Sequence, residues 1–138
     1  MPFPTDIDVS APTRMERLKV AYALHVARKV MEADKILDLR EVELLMTTFP
    51  QDLLIGCEFL DDEGNLTERW HSVLTEAAAL LPIELLPEEK LEILTLLHRV
   101  QVADGENHKR EAEVVHAAAN HLGVSRGELA AHIKRLGI

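Results

Sequence analysis

The sequence predicts an all-α fold of about seven helices, packed as one domain, and three observations lead to this prediction. Leu and Ala are abundant while aromatic residues make up only 4% of the chain, a composition that favours helices over strands. Apolar residues recur at helical spacing along most of the 138 residues, and no segment alternates like a strand. Two stretches repeat one pattern at a fixed offset, which indicates two similar helical halves.

Three helices are predicted in the first part of the chain, over residues 13–33, 38–49 and 51–60. In the first of them, Leu18 and Tyr22 mark an apolar face with helical spacing. The second begins at Asp38, and Glu41 follows at the spacing of a capping box. Pro50 suits the first turn of the third helix because its missing N–H is not needed there.

Four more helices are predicted, over residues 67–81, 87–102, 109–121 and 125–136. A loop at 61–65 precedes them. The fifth helix of the chain has Pro87 at its start and Glu88 and Glu89 in its first turn, where carboxylates interact favourably with the helix dipole. Gly123 ends the sixth helix, because glycine readily adopts the backbone conformation found after a helix C-terminus.

The internal repeat lies around two Ala-Asp pairs. Residues 33–43 read ADKILDLREVE and residues 103–113 read ADGENHKREAE, so Ala-Asp, Arg-Glu and the final Glu match at an offset of 70. Each half is therefore predicted as a long helix, a break at Ala-Asp, and a second helix that begins near Arg-Glu-x-Glu. Two halves, at about 13–60 and 84–138, can pack their apolar faces together with approximate twofold symmetry.

The predicted domain covers residues 13–138 and follows a flexible segment at 1–12. No window approaches the roughly 18 apolar residues of a membrane span, and the N-terminus lacks the pattern of a signal peptide. Cys57 is the only cysteine, so an intramolecular disulfide is excluded. A reducing, cytoplasmic location is therefore expected.

The formal net charge of −9 is concentrated in the middle of the chain, where residues 52–92 hold 11 acidic and 2 basic side chains. Such an acidic surface disfavours nonspecific binding of nucleic acid and attracts cations or basic protein partners. The chain has no Gly-x-Gly-x-x-Gly, no phosphate-binding loop and no Gly-x-Ser-x-Gly. Cys57 lies in the apolar stretch LLIGCEFL and is expected in the core. No catalytic activity is predicted.

The sequence resembles the TerB-like family, named for the bacterial tellurite resistance protein. The resemblance is carried by Ala-Asp-Gly at 103–105, by Glu111, and by HLGVS at 121–125, and it covers roughly residues 15–136. The first half departs from the pattern, since Lys35 replaces Gly and MTTFP replaces the Leu-Gly ending. The resemblance implies an all-helical fold of two related halves and acidic side chains that bind metal ions. It also implies a role in stress-linked or membrane-associated complexes rather than catalysis.

Four carboxylates around the two Ala-Asp breaks are the expected metal ligands: Asp34, Glu41, Asp104 and Glu111. They can converge on one divalent cation, Ca²⁺ or Mg²⁺, if the two breaks meet, because such hard cations take several oxygen ligands. Second candidates are Glu43, Glu106 and Glu113. The competing interpretation is that acidic residues at helix starts act only as caps and dipole partners.

Two further functions stay open on the sequence alone. The first is a protein-interaction adaptor that uses the acidic middle section and needs no metal. The second is DNA binding, because the ending AANHLGVSRGELAAHIKRLGI resembles the helix-turn-helix of Fis-type regulators and its last helix carries Arg126, Lys134 and Arg135. The net charge of −9 opposes the DNA-binding alternative, since phosphate contacts supply much of such affinity.

Overall fold

The computed structural model describes residues 7–33, 39–103 and 109–138. These residues form seven α-helices: α1 Arg14–Glu32, α2 Leu39–Thr48, α3 Gln51–Gly56, α4 Glu68–Glu84, α5 Pro87–Gln101, α6 Lys109–Leu122 and α7 Arg126–Leu136. Within the described ranges there is no strand, and the one isolated bridge joins Leu60 to Leu66. The predicted all-α fold is confirmed.

The first helix, α1, lies at the centre of the molecule and packs against α4, α5 and α6. A capping box fixes its start, since the Glu16 N–H donates to Thr13 Oγ1 at 3.1 Å and the Thr13 N–H donates to Glu16 Oε1 at 2.8 Å. From its second turn onward the helix is buried on almost every side. Its buried residues are Leu18, Val20, Ala21, Tyr22, Ala23, Leu24, Val26, Ala27 and Val30. The run from Val20 to Leu24 is buried on every side, which places the middle of this helix in the core.

The starts of α1 and α5 are joined by an ion pair between Lys19 and Glu89. The hydrogen bond from the Lys19 ammonium is the main reason that the pKa of the Glu89 carboxyl lies below its ordinary value. Glu89 also accepts the backbone N–H of Leu86 at 3.0 Å, which caps the start of α5. Lys19 and Glu89 are 70 residues apart, the offset of the internal repeat. Equivalent positions of the two halves therefore meet in space.

The sixth helix runs antiparallel to α1. Near the end of α6, the His121 ring stacks on Tyr22 in the first half of α1, with ring centroids 5.8 Å apart. Near the start of α6, Val114 lines the same groove as Lys29, which belongs to the last turns of α1. The start of α6 is therefore beside the end of α1.

The sixth helix is antiparallel to α5 as well. Gly123, which follows α6, lies beside the start of α5, since a Cβ atom added there would be 4.0 Å from Lys90 Nζ. Because α6 opposes both helices, α1 and α5 run in the same direction and end at the same end of the bundle. We call this the break end: it contains the last turns of α1 and α5, up to Ala33 and Ala103, and the first turn of α6.

Two helix boundaries differ from those predicted. The third helix ends at Gly56 rather than at residue 60, because the chain turns at Glu58, whose φ is +67°, and Phe59 is fully buried beyond the turn. The fourth helix continues through Pro82 to Glu84 rather than ending at residue 81. The other boundaries agree to within two residues, and Thr67 and Ser125 serve as side-chain N-caps.

Residues 7–12, the described part of the predicted N-terminal segment, pack against α3. Ile7 and Val9 lie against the core, and Pro12 is buried. Gly56 allows this approach, because a Cβ atom added there would lie 1.9 Å from the carbonyl oxygen of Val9. The absence of a side chain at Gly56 is therefore a packing requirement.

Replacing Gly56 with Ala is expected to lower the free energy of unfolding by about 1–3 kcal/mol, because the new methyl group overlaps the Val9 backbone. Urea unfolding followed by circular dichroism measures the change. The matched control is Gly127→Ala in α7, where the nearest atom is Ser125 Oγ at 4.0 Å. This control should stabilise the chain by up to about 1 kcal/mol. Equal effects of the two substitutions would contradict the packing described here.

Candidate functional site

The structure describes the side chain of one of the four predicted metal ligands. Asp34 and Asp104 lie outside the described residues. Glu41 belongs to α2, and its side chain is also outside what the structure describes. Glu111 is fully described and lies in the first turn of α6. Within the described ranges, no group of three or more His, Cys, Asp or Glu side chains is placed to hold a metal ion.

Glu111 is the one predicted ligand whose environment the structure describes, and its exposed fraction is 0%. Val115, one turn further along α6, is buried as well, and so are Val30, Val100 and Gln101 in the last turns of α1 and α5. A carboxylate removed from water in this way requires hydrogen bonds or compensating positive charge. An oxygen donor of this kind fits the preference of Ca²⁺ and Mg²⁺. The second candidates Glu43 and Glu113 are exposed, and Glu106 lies outside the described residues.

The geometry of the break end bears on the predicted convergence of the two halves. Since α1 and α5 run in the same direction, the chain leaves Ala33 and Ala103 at the same end of the bundle. An antiparallel pair of helices joined at the Lys19–Glu89 contact would instead have separated these residues by about 40 Å. Ala33 and Ala103, each followed by Asp in the sequence, therefore lie at one end of the bundle.

A groove of about 540 Å³ lies between α1, α4 and α6, and sequence reasoning did not identify it. Apolar side chains form most of its wall, including Val26, Leu74 and Val114. Its polar groups are Tyr22, His25, Lys29, Thr75 and His121. One feature of the sequence could have indicated the groove. The spacing of Tyr22, His25 and Lys29 places the three side chains on one face of α1.

Burial shifts the pKa values of Tyr22 and His25, two of the residues that line the groove, so that their neutral forms are favoured. Burial raises the pKa of Tyr22 to about 12, so its phenol stays protonated at neutral pH. Burial also lowers the pKa of His25, and the nearby charges of Lys29 and Arg28 lower it further. The neutral form of His25 therefore predominates at neutral pH. The Tyr22 phenol, with its raised pKa, is not suited to act as a general base.

Pro82 explains one polar contact at the edge of the groove. A residue at position 82 of a regular helix would donate its N–H to the carbonyl of Ala78, but proline has no N–H. His121 Nε2 instead lies 2.8 Å from the Ala78 carbonyl oxygen. Because a carbonyl oxygen only accepts, Nε2 must carry the hydrogen. The side chain on α6 thus supplies the donor that α4 lacks, which lets α4 continue past its proline.

Cys57 belongs to the core, as the sequence predicted, and Trp70 belongs to it as well. Cys57 is fully buried, and burial raises the pKa of its thiol to about 11, which is the opposite of an activated nucleophile. Trp70 is 4% exposed and lies between His71, at a ring-centroid distance of 4.9 Å, and the Arg28 guanidinium, 5.7 Å from the ring centroid. Both residues stabilise the packing of α4 and its neighbours.

The last helix, α7, packs lightly on α5 and α6. Leu129 is buried and Ile133 is partly buried, whereas Leu136 is exposed rather than packed inward. The basic residues Arg126, Lys134 and Arg135 are exposed. DNA binding by this helix therefore stays a prediction from the sequence.

These features define a small all-α module built from two related halves. In each half a long helix is followed by a break and a second helix, and in the second half that helix, α6, has the buried Glu111 in its first turn. The sequence matches the family described as Tellurite resistance protein TerB over residues 20–133. The chain belongs to this family, and the resemblance stated from the sequence is confirmed. No curated protein and no solved structure matches the chain. No helix in the described ranges is both long and apolar enough to cross a membrane.

Replacing His121 with Ala is expected to lower the free energy of unfolding by about 1 kcal/mol, because the Ala78 carbonyl loses its donor. The same substitution in a Pro82→Ala background should cost less, since an alanine at that position can donate its own N–H to the Ala78 carbonyl. Loss of the ring contact with Tyr22 is common to both backgrounds and cancels in the comparison. Urea unfolding of the four proteins measures the coupling. An identical cost in both backgrounds would contradict this role of His121.

Proposed function

We propose that the chain is a non-catalytic, cytoplasmic module of the tellurite resistance TerB family that binds one divalent cation, Ca²⁺ or Mg²⁺, at the break end. The proposed ligands are Asp34, Glu41, Asp104 and Glu111. The module would act in a bacterial stress response as a metal-dependent component. The observation that supports the proposal is the parallel course of α1 and α5, which places Ala33 and Ala103, each followed by Asp in the sequence, at one end of the bundle.

The internal repeat supports this choice of ligands. Asp34 corresponds to Asp104, and Glu41 corresponds to Glu111, at the offset that also separates the paired Lys19 and Glu89. Lys19 and Glu89 hold equivalent positions in the repeat and are in contact near the starts of α1 and α5. This contact favours a similar approach of equivalent residues at the other ends of the two helices. Two pairs of carboxylates would then supply oxygen ligands from four chain segments.

The complete burial of Glu111 supports the proposal independently. Acidic residues that act only through the helix dipole gain that benefit while they remain in water. Glu111 instead has no exposed surface in the first turn of α6. A buried carboxylate is a better cation ligand than an exposed one, because its electrostatic interactions are less screened by water.

Calorimetric titration of the metal-free protein with Ca²⁺, Mg²⁺, Mn²⁺ and Zn²⁺ tests the proposal. We expect saturable binding of one ion with a dissociation constant on the order of micromolar, a range typical of carboxylate-rich sensor sites. Asp104→Asn and Glu111→Gln should each weaken binding by at least about tenfold, because each removes one charged ligand. Glu113→Gln is the matched control, since Glu113 is an exposed acid of the same helix.

Circular dichroism separates loss of a ligand from loss of the fold. If Glu111→Gln unfolds the chain, the Asp104→Asn variant alone decides the outcome. Weak binding that is the same in the wild type, Asp104→Asn and Glu113→Gln proteins would contradict the proposed site. The carboxylates would then be helix caps and surface charge.

A second candidate function, that of a protein-interaction adaptor, is favoured by an ordered acidic hairpin at 58–68. The Leu60–Leu66 bridge closes it, and Asp61 Oδ1 accepts the backbone N–H groups of Glu63 and Asn65, both at 2.9 Å. Asp62 and Glu63 remain exposed at its tip. A rigid, exposed acidic loop suits a basic protein partner, because little conformational entropy is lost when it binds.

The adaptor candidate is tested by reversing charge at the hairpin tip while leaving Asp61 intact. Asp62→Lys with Glu63→Lys should abolish capture of a protein partner from a cell extract of the source organism. The same variant should leave the affinity for Ca²⁺ within about twofold, because the hairpin supplies no proposed metal ligand. The charge-conserving Asp62→Glu variant is the control. Unchanged partner capture by the charge-reversed protein would exclude the hairpin as the interaction surface.

A further inference from the structure

A pocket of about 360 Å³ lies between the start of α1 and the first half of α4. We call it the arginine pocket, defined by Arg14, Arg17, Arg69, Ser72 and Glu76. Three arginines therefore line one pocket in a chain whose formal net charge is −9. Such a local excess of positive charge is opposite in sign to the net charge of the chain and attracts anions.

The helical spacing of the sequence produces this cluster. Arg14 and Arg17 are three residues apart on α1, and Arg69 and Ser72 are three residues apart on α4, so each pair shares a helix face. Because α1 packs against α4, the two faces meet. Glu76 is the single carboxylate among the residues that line the pocket.

Arg17 is the central cation of the pocket. Its Nε atom is buried and has no hydrogen-bond partner among the described residues. No ion pair joins it to a carboxylate in the part of the chain that the structure describes. Its charge also acts on the core: burial raises the pKa of Cys57 to about 11, and the charge of Arg17 opposes that rise. The charge of Arg17 is thus poorly screened.

The other two arginines form exposed ion pairs that an anion can replace. Arg14 pairs with Glu76, and these side chains are 65% and 41% exposed. Arg69 Nε lies 3.7 Å from Glu58 Oε2, and these side chains are 52% and 62% exposed. Exposed pairs of this kind contribute little to stability, so exchanging the carboxylate for a more highly charged ligand costs little.

We propose that the arginine pocket binds a compact oxyanion of the phosphate type, either inorganic phosphate or the phosphoryl group of a small phosphate monoester. Arginine presents a planar set of N–H donors that matches two phosphate oxygens at once. The hydroxyl of Ser72 adds a neutral donor to the same pocket. The volume is sufficient for a phosphoryl group with a small organic substituent.

This anion site is separate from the cation site proposed at the break end. Arg14 begins α1 and Ala33 follows its end, so the two sites are roughly 28 Å apart along the helix axis. At about 0.15 M salt this separation exceeds the Debye length, and the two ligands should bind independently. Failure of one proposal therefore leaves the other testable.

Calorimetric titration with sodium phosphate at constant ionic strength tests the inference, and glycerol 3-phosphate, sulfate and chloride are titrated in parallel. We expect saturable binding of phosphate, stronger than that of chloride by at least about tenfold, because a dianion gains more from three arginines. Tighter binding of glycerol 3-phosphate than of phosphate identifies a phosphate monoester as the ligand class, and equal or weaker binding identifies free phosphate.

Three variants make the test specific. Arg17→Gln should weaken phosphate binding by at least about tenfold, and Arg17→Lys should weaken it less, because the charge remains while the paired donors are lost. If substitution of the partly buried Arg17 disrupts the fold, the exposed Arg69→Gln variant takes its place, with an expected weakening of at least about threefold. Arg135→Gln on α7 is the control and should bind like the wild type. Absence of saturable binding, or equal affinities in all folded variants, would overturn the inference.

Discussion

The burial of α1 is the constraint on which the rest of the structure depends. A helix buried on almost every side must be enclosed by other helices, and α4, α5 and α6 provide that enclosure. The small residues Ala21, Ala23 and Ala27 are fully buried, which lets the neighbouring helices approach closely. Because three different helices pack against α1, residues that are distant in sequence meet at successive positions along this one helix.

Three chemically different regions follow one another along α1. The arginine pocket lies at its start, the groove with Tyr22 and His25 lies along its middle, and the break end lies at its C-terminus. Each region owes its character to the helix that packs there: α4 adds Arg69 to the pocket, and α6 adds His121 to the groove. The net charge of −9 therefore does not describe the molecule locally, since three arginines line one pocket at the start of the central helix.

Much of the fold was predictable from the sequence because its local signals agree with its packing. The N-caps, the proline at the start of α5 and the glycine after α6 marked most helix boundaries to within two residues. The exceptions depend on contacts distant in sequence. The fourth helix passes Pro82 because His121, on another helix, supplies a donor to Ala78. The third helix stops early because burial of Phe59 requires a turn at Glu58.

The candidate sites were predictable only in part, for the same physical reason. The internal repeat and the resemblance to the TerB-like family pointed to Glu111 as a candidate ligand, but the sequence could not tell a solvated helix-start residue from one that is fully buried. The groove and the arginine pocket were missed, because each requires knowing which faces of two helices meet. Arg14 and Arg69 are 55 residues apart in sequence, and only the packing of α1 on α4 places them in one pocket.

The proposed cation site depends above all on the parallel course of α1 and α5, which places Ala33 and Ala103 at one end of the bundle. Electron–electron distance measurement between spin labels at Ala33→Cys and Ala103→Cys tests it most directly, and the fully buried thiol of Cys57 should not compete for label. If the helices are parallel and packed, the distance between the two labels equals roughly the 8–10 Å between the helix axes, increased by the lengths of the label side chains. An antiparallel arrangement about the Lys19–Glu89 contact would separate them by about 40 Å, and a distance of that size would contradict the parallel course.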